Sequence, residues 1–138
     1  MDKNRLLSHL CKHEGLRLKP YRDSVGKLTI GVGRNLDDVG ISAAEAMTLC
    51  LNDIEEASEE LDRQVPWWRS LNDARQEVLC EMRFNMGWPR LAGFRKFLLA
   101  AEAGDFEAAA HEMLSSQWAA QVGKRAVTLA DATRKGSF

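Results

Sequence analysis

The chain has 138 residues and a mass of 15.5 kDa, enough to bury roughly two thirds of its unfolded surface in one domain or two small lobes. At 45% hydrophobic and 28% charged, with 10 Gly and 3 Pro, its composition excludes collagen-like, low-complexity and wholly disordered classes. A formal net charge of −1 argues against a dedicated nucleic-acid binder, which normally carries a strong basic excess.

At the N-terminus, Leu6, Leu7, Leu10 and Cys11 fall on one stripe of a short helix ending at Glu14, with Gly15 suited to cap it. Two β-prone pieces follow, Leu18 to Arg22 and Leu28 to Val32. The turn Asp23-Ser24-Val25-Gly26 between them predicts a hairpin, the one strand signal in the chain. Ser42 and Glu45 form a capping box, and Met47, Cys50, Leu51, Ile54, Leu61 and Val65 keep helical spacing from about residue 43 to 64, up to Pro66. The acidic face of that helix (Asp53, Glu55, Glu56, Glu59, Glu60, Asp62) is expected to be solvated. Further helices are predicted over 73–86, stopped by Gly87 and Pro89, then over 94–103, from an Asp105 cap to Leu114, and over 124–133. The four tryptophans read as core residues, with Trp67 and Trp68 packing the junction after Pro66.

Cys11, Cys50 and Cys80 contain no C-x-x-C pair and read as reduced, buried thiols. Residues 1–9 hold no apolar run of signal-peptide length, and no stretch approaches a membrane span, so a protein made in the cytoplasm without stable membrane association is expected. His9 and His13 share a helix face but lack a third ligand, so no metal site is assigned. Gly31-Val32-Gly33 lacks the third glycine of a dinucleotide fingerprint, and no cofactor is implied.

Singly, Glu14, Asp23 and Thr29 are an ordinary helix-end carboxylate, a turn former and a strand residue. A hairpin folding back beside the helix end brings the carboxylates toward one another. The helix terminus disfavours negative charge on its own Glu, whereas an Asp on a wet turn keeps its charge. Such a pair suits general acid and base in glycosidic-bond cleavage.

With Thr29-Ile30-Gly31-Val32-Gly33 after them, these residues resemble the catalytic segment of the phage-type lysozymes, the muramidase endolysins of tailed phages. The resemblance continues at Leu71 to Gly93, where Arg83 to Gly87 and Leu91 to Phe94 are similar to the family's C-terminal lobe, and at Trp118 to Phe138, with Gln121 and Arg125 matching. The stretch from Leu36 to Ile41 is short beside longer members. The resemblance implies an α+β, mostly helical, two-lobed lysozyme-like fold forming a single domain over 1–138. Residues 14–41 would form a β-lobe, 42–65 a linker helix, and 66–138 with 1–13 a helical lobe.

It also implies hydrolysis of the β-1,4 bond between N-acetylmuramic acid and N-acetylglucosamine in peptidoglycan, lysing bacteria at phage release. Glu14 would be the general acid, and Asp23 and Thr29 would handle the water, giving inversion. Phe84 and Asn85 match positions that line the family's saccharide groove. Arg125 matches an arginine that pairs with the catalytic Glu. Arg34 stands where many members have a histidine, and Asp53 matches that histidine's partner, so an Arg34–Asp53 ion pair is expected. The protein is expected to be a monomer that reaches the wall through a holin-type partner. A catalytically inactive wall-binding module, a lytic transglycosylase and a small DNA-binding domain are the competing readings; the last leaves the hairpin and carboxylates without a purpose.

Charge is unevenly spread. Residues 1–35 carry +5, residues 36–62 carry −9 and residues 63–138 carry +3, so attraction to an anionic wall can be local without a cationic total.

Overall fold

A computed structural model describes residues 1–138. The first helix, α1 (Lys3–Glu14), starts on Asp2, whose side chain accepts from Arg5 N, and ends where Gly15 N donates to Cys11 O at 3.0 Å. Strands β1 (Arg17–Arg22), β2 (Leu28–Gly31) and β3 (Arg34–Asn35) form an antiparallel sheet in that order. Tyr21 is opposite Thr29 in the first pairing and Thr29 opposite Asn35 in the second. A bulge between Arg17 and Tyr21 breaks the first ladder. The expected hairpin is present, and β3 is an addition. Two residues of strand are too few to show alternation, and β3 exists because β2 offers it a free edge.

Helix α2 (Ala43–Gln64) carries the expected capping box: Ser42 N donates to Glu45 Oε1 at 2.9 Å, and Glu45 N donates to Ser42 Oγ at 3.1 Å. A short 3-10 turn, Pro66–Ser70, leads to α3 (Asp73–Met86), α4 (Trp88–Ala92), α5 (Arg95–Glu102), α6 (Phe106–Leu114), α7 (Gln117–Val122) and α8 (Lys124–Lys135). Pro89, expected to stop a helix, sits in the first turn of α4. There its missing N–H costs nothing, because first-turn donors have no intrahelical partner anyway.

The chain divides into two compact units, Met1–Leu49 and Cys50–Phe138. In the first, Thr29 is the one fully buried residue, and the leucine stripe of α1 stays partly exposed. The second owns the hydrophobic core, built around Leu61, Trp68, Leu79, Met82, Leu91, Phe97, Met113 and Leu129. Trp68 and Trp118 are buried there, whereas Trp67 and Trp88 are half-buried at its rim. The three cysteines are free and half-buried, more open than expected.

The acidic face of α2 is not simply solvated. Glu60 and Glu56 both pair with the guanidinium of Arg83 on α3, and Asp62 accepts from the indole of Trp68 at 2.8 Å and from Arg69. These bonds hold the Asp62 carboxyl below the usual carboxylate range, with Arg69 the larger influence. Arg75 of α3 closes the far end of the unit. Its Nε donates to Thr133 O at 2.8 Å and its Nη2 to Arg134 O at 3.1 Å, satisfying carbonyls that α8 cannot pair for itself, while its guanidinium lies over the Phe106 ring.

Candidate active site

The turn between β1 and β2 is built by Asp23. Its Oδ1 accepts from Val25 N at 3.0 Å and from Lys27 N at 2.8 Å, and its backbone oxygen accepts from Gly26 N at 3.0 Å. An aspartate accepting from amides two and four residues onward closes the loop without help from the rest of the chain. Only Oδ1 is used in these bonds.

Thr29 lies on the central strand, 3% exposed, and its hydroxyl donates to Lys27 O at 2.9 Å. The same carbonyl accepts from Asp23 N at 2.9 Å. One residue, Lys27, thus fastens both Asp23 and Thr29: its N–H holds the carboxylate and its C=O holds the threonine hydroxyl. With its proton committed, Thr29 Oγ1 presents lone pairs to any incoming donor.

Glu14 is exposed at the last turn of α1. Its side chain lies on Gly33, so closely that a β-carbon there would stand 2.9 Å from Glu14 Oε2 and 3.1 Å from its carboxyl carbon. Gly33 also has φ +69°, a conformation that side chains disfavour. The structure makes Gly33 a turn residue between β2 and β3. Its second duty, giving the carboxyl a flat seat, depends on where α1 ends in space.

The expected Arg34–Asp53 pair is replaced. Arg34 Nη1 lies 2.8 Å from Glu45 Oε1 and also donates to Gly40 O at 3.2 Å. The capping box carries Glu45 to the start of α2, close to Arg34 on β3, whereas Asp53 lies eight residues, about 12 Å, further along the helix. Arg34 is the main cause that takes the Glu45 carboxyl from 4.5 down to about 2, aided by the bonds from Ser42. Because the folded value is depressed, the stabilisation is present above pH 4.5 and lost as pH falls toward 2. Glu45→Gln should therefore be less stable than wild type in urea at neutral pH, and the gap should close between pH 4.5 and 2. A gap that is constant with pH would exclude this linkage.

In the second unit, Phe84 is 44% exposed near the end of α3. The neighbouring Asn85 accepts from the Trp118 indole at 2.8 Å, which orients its amide and leaves the NH2 group outward. Within this unit, Arg125 Nε donates to Glu81 Oε1 of α3 at 2.9 Å. Gln121 is held by Arg90 Nη2 at 2.9 Å.

A helix ending in a carboxylate, a small antiparallel sheet that fixes an Asp and a Thr through a shared residue, and a separate helical core make an α+β, mostly helical architecture of the lysozyme kind. Residues 11–135 match the family described as phage lysozyme, and the chain belongs to that family. Similar proteins include the pre-baseplate central spike protein Gp5 of Enterobacteria phage T4, 31% identical over 85% of this chain and 25% of that protein. The endolysin of Salmonella phage P22 is 35% identical over 63% of this chain and 64% of its own length. An endolysin of Acyrthosiphon pisum secondary endosymbiont phage 1 is 29% identical over 83% of this chain and 78% of its length. The chain thus spans a quarter of the T4 relative and just under two thirds of the P22 one.

Proposed function

We propose that this protein is a muramidase that cleaves the β-1,4 bond between N-acetylmuramic acid and N-acetylglucosamine in peptidoglycan, lysing the host cell at phage release. The observation that carries the reading is the seating of Glu14 on Gly33 in the same unit in which Lys27 ties Asp23 to Thr29. Glu14 protonates the leaving oxygen. Asp23, with Oδ2 unused by the turn, acts as base toward a water whose proton Thr29 Oγ1 accepts as a hydrogen bond, so attack comes from the opposite sugar face and the configuration inverts. Phe84 packs its ring on a sugar face and the Asn85 amide bonds an N-acetyl group. Arg34 and Arg125 act at one remove, through Glu45 and Glu81. Asp53 is left with no role in this scheme.

The +5 charge of residues 1–35 draws the sheet toward an anionic wall. No helix is long and apolar enough to cross a membrane, and we propose a monomer, made in the host cytoplasm, that depends on a holin-type partner for access to the wall.

Product analysis on purified peptidoglycan tests the chemistry. Soluble fragments ending in reducing N-acetylmuramic acid are expected. Anhydro-muramyl ends would convert the reading to a lytic transglycosylase, and binding without release of fragments would leave an inactive wall-binding module.

A further inference from the structure

Asp37 stands in the turn that follows β3. We propose that it is a positioning residue for the cleavage reaction, holding Asp23 and Thr29 in place through the single peptide group between Lys27 and Leu28. The inference rests on the muramidase reading for its chemistry and gives the site a further residue, one that acts without touching substrate.

Strands β2 and β3 pair Thr29 with Asn35 and Ile30 with Arg34, and one further step sets Leu28 opposite Leu36. In a hydrogen-bonded antiparallel rung the two residues exchange both backbone bonds. Here only one is made that way: Leu36 N donates to Leu28 O at 2.7 Å, whereas Leu28 N donates to Asp37 Oδ2 at 2.8 Å. A carboxylate has taken the place of a strand carbonyl at the end of the sheet. The Leu28 N–H belongs to the same planar peptide as Lys27 C=O. That oxygen accepts from Thr29 Oγ1 at 2.9 Å and from Asp23 N at 2.9 Å. The N–H and C=O of a trans peptide point in opposite directions, so a bond at each end fixes the tilt of the plane. An ionised acceptor bonds about twice as strongly as a neutral one, and hydrogen bonds in series strengthen one another. Asp37 therefore sets the direction in which the Thr29 proton is drawn, and with it the direction in which the Oγ1 lone pairs face. Arg22 braces this end of the hairpin: its Nη1 donates to Gly26 O at 3.1 Å and stands 3.7 Å from Asp37 Oδ2. The adjacent Asp38 does different work, accepting from Lys27 Nζ at 3.1 Å and from Asn35 Nδ2 at 3.0 Å. Those side-chain contacts leave the 27–28 peptide alone.

The test compares Asp37→Ala, Asp37→Asn and Asp38→Ala in the full chain, by release of reducing ends from purified glycan strands and by the NMR shift of the Thr29 β-carbon. Asp37→Ala should lower kcat by about tenfold or more, since small misplacements of reacting groups are costly, and leave KM unchanged. Asp37→Asn keeps an acceptor oxygen and the shape of the side chain but loses the charge, so its kcat should lie between those of wild type and Asp37→Ala. Asp38→Ala takes two contacts from the same loop and should leave kcat at the wild-type value. The Thr29 resonance should move in Asp37→Ala and hold in Asp38→Ala. Melting curves confirm that each variant is folded at the assay temperature. Wild-type turnover by Asp37→Ala, an Asn variant no faster than Ala, or an equal kcat loss in Asp38→Ala overturns the proposal, as does a Thr29 resonance indifferent to Asp37→Ala. A Thr29 resonance that follows Asp37 in a wild-type protein that releases no reducing ends would uphold the tie through the peptide and overturn the muramidase reading instead.

Discussion

Glu14→Gln should abolish wall clearing while leaving the protein as stable as before, or slightly more so. The amide keeps the shape of the side chain on Gly33 and cannot donate the proton that the leaving oxygen needs. Loss of a general acid typically costs about 10²- to 10⁴-fold in rate. On the stability side, Glu14 is exposed in the last turn of α1, where a negative charge faces the negative end of the helix dipole. Removing that charge is worth about 0.3–1 kcal/mol in favour of folding. The measurement is a pair: turbidity loss of bacterial walls, and the thermal midpoint of the same preparation. A variant that clears walls at a substantial fraction of the wild-type rate would end the assignment of Glu14 as acid. A large fall in melting temperature would show that the residue is structural.

Gly33→Ala is expected to lower turnover by about a hundredfold, because displacing a reacting group by about an ångström costs on that order. The new methyl would stand 2.9 Å from Glu14 Oε2 and 3.2 Å from its γ-carbon, closer than packed atoms tolerate, so the carboxyl must move. The substitution also places a side chain at φ +69°, costing roughly 1–2 kcal/mol in stability. Gly31→Ala separates the two effects, for Gly31 has the same φ of +69° with nothing within 4 Å of an added β-carbon. Both variants should melt earlier, and only Gly33→Ala should lose activity beyond what melting explains, in kcat more than in KM. Equal activity losses in the two would show that backbone strain, and not the seat of Glu14, is responsible.

Much of this could be read along the chain, and the reason is locality. The end of α1 at Gly15, the Asp23 turn, the capping box at Ser42 and Glu45, and the Asp105 cap of α6 each depend on residues within four positions of one another. Residue types that satisfy a neighbouring backbone group announce themselves by spacing. Missed were β3, α4, α7 and the 3-10 turn, elements of two to six residues that are shorter than the periods by which helices and strands are recognised. The acidic face of α2 looked solvated because Arg83, 23 residues beyond Glu60, gives no sign of its destination in the sequence.

The site divides the same way. Sequence by itself determined which residues can do the chemistry: a carboxylate at a helix end, a second on a turn, a hydroxyl on the returning strand, and the family to which that pattern belongs. Lys27, which ties Asp23 to Thr29, lies within four residues of both and belongs to that local order. The tertiary structure alone decided the distant partners: Arg34 pairs with Glu45, Arg125 pairs with Glu81, and Gly33 is the seat of Glu14. Backbone preferences act over a few residues and are written in local order, whereas an ion pair or a close approach depends on where separate elements come to lie, and many partners of the right charge compete for each guanidinium until packing selects one.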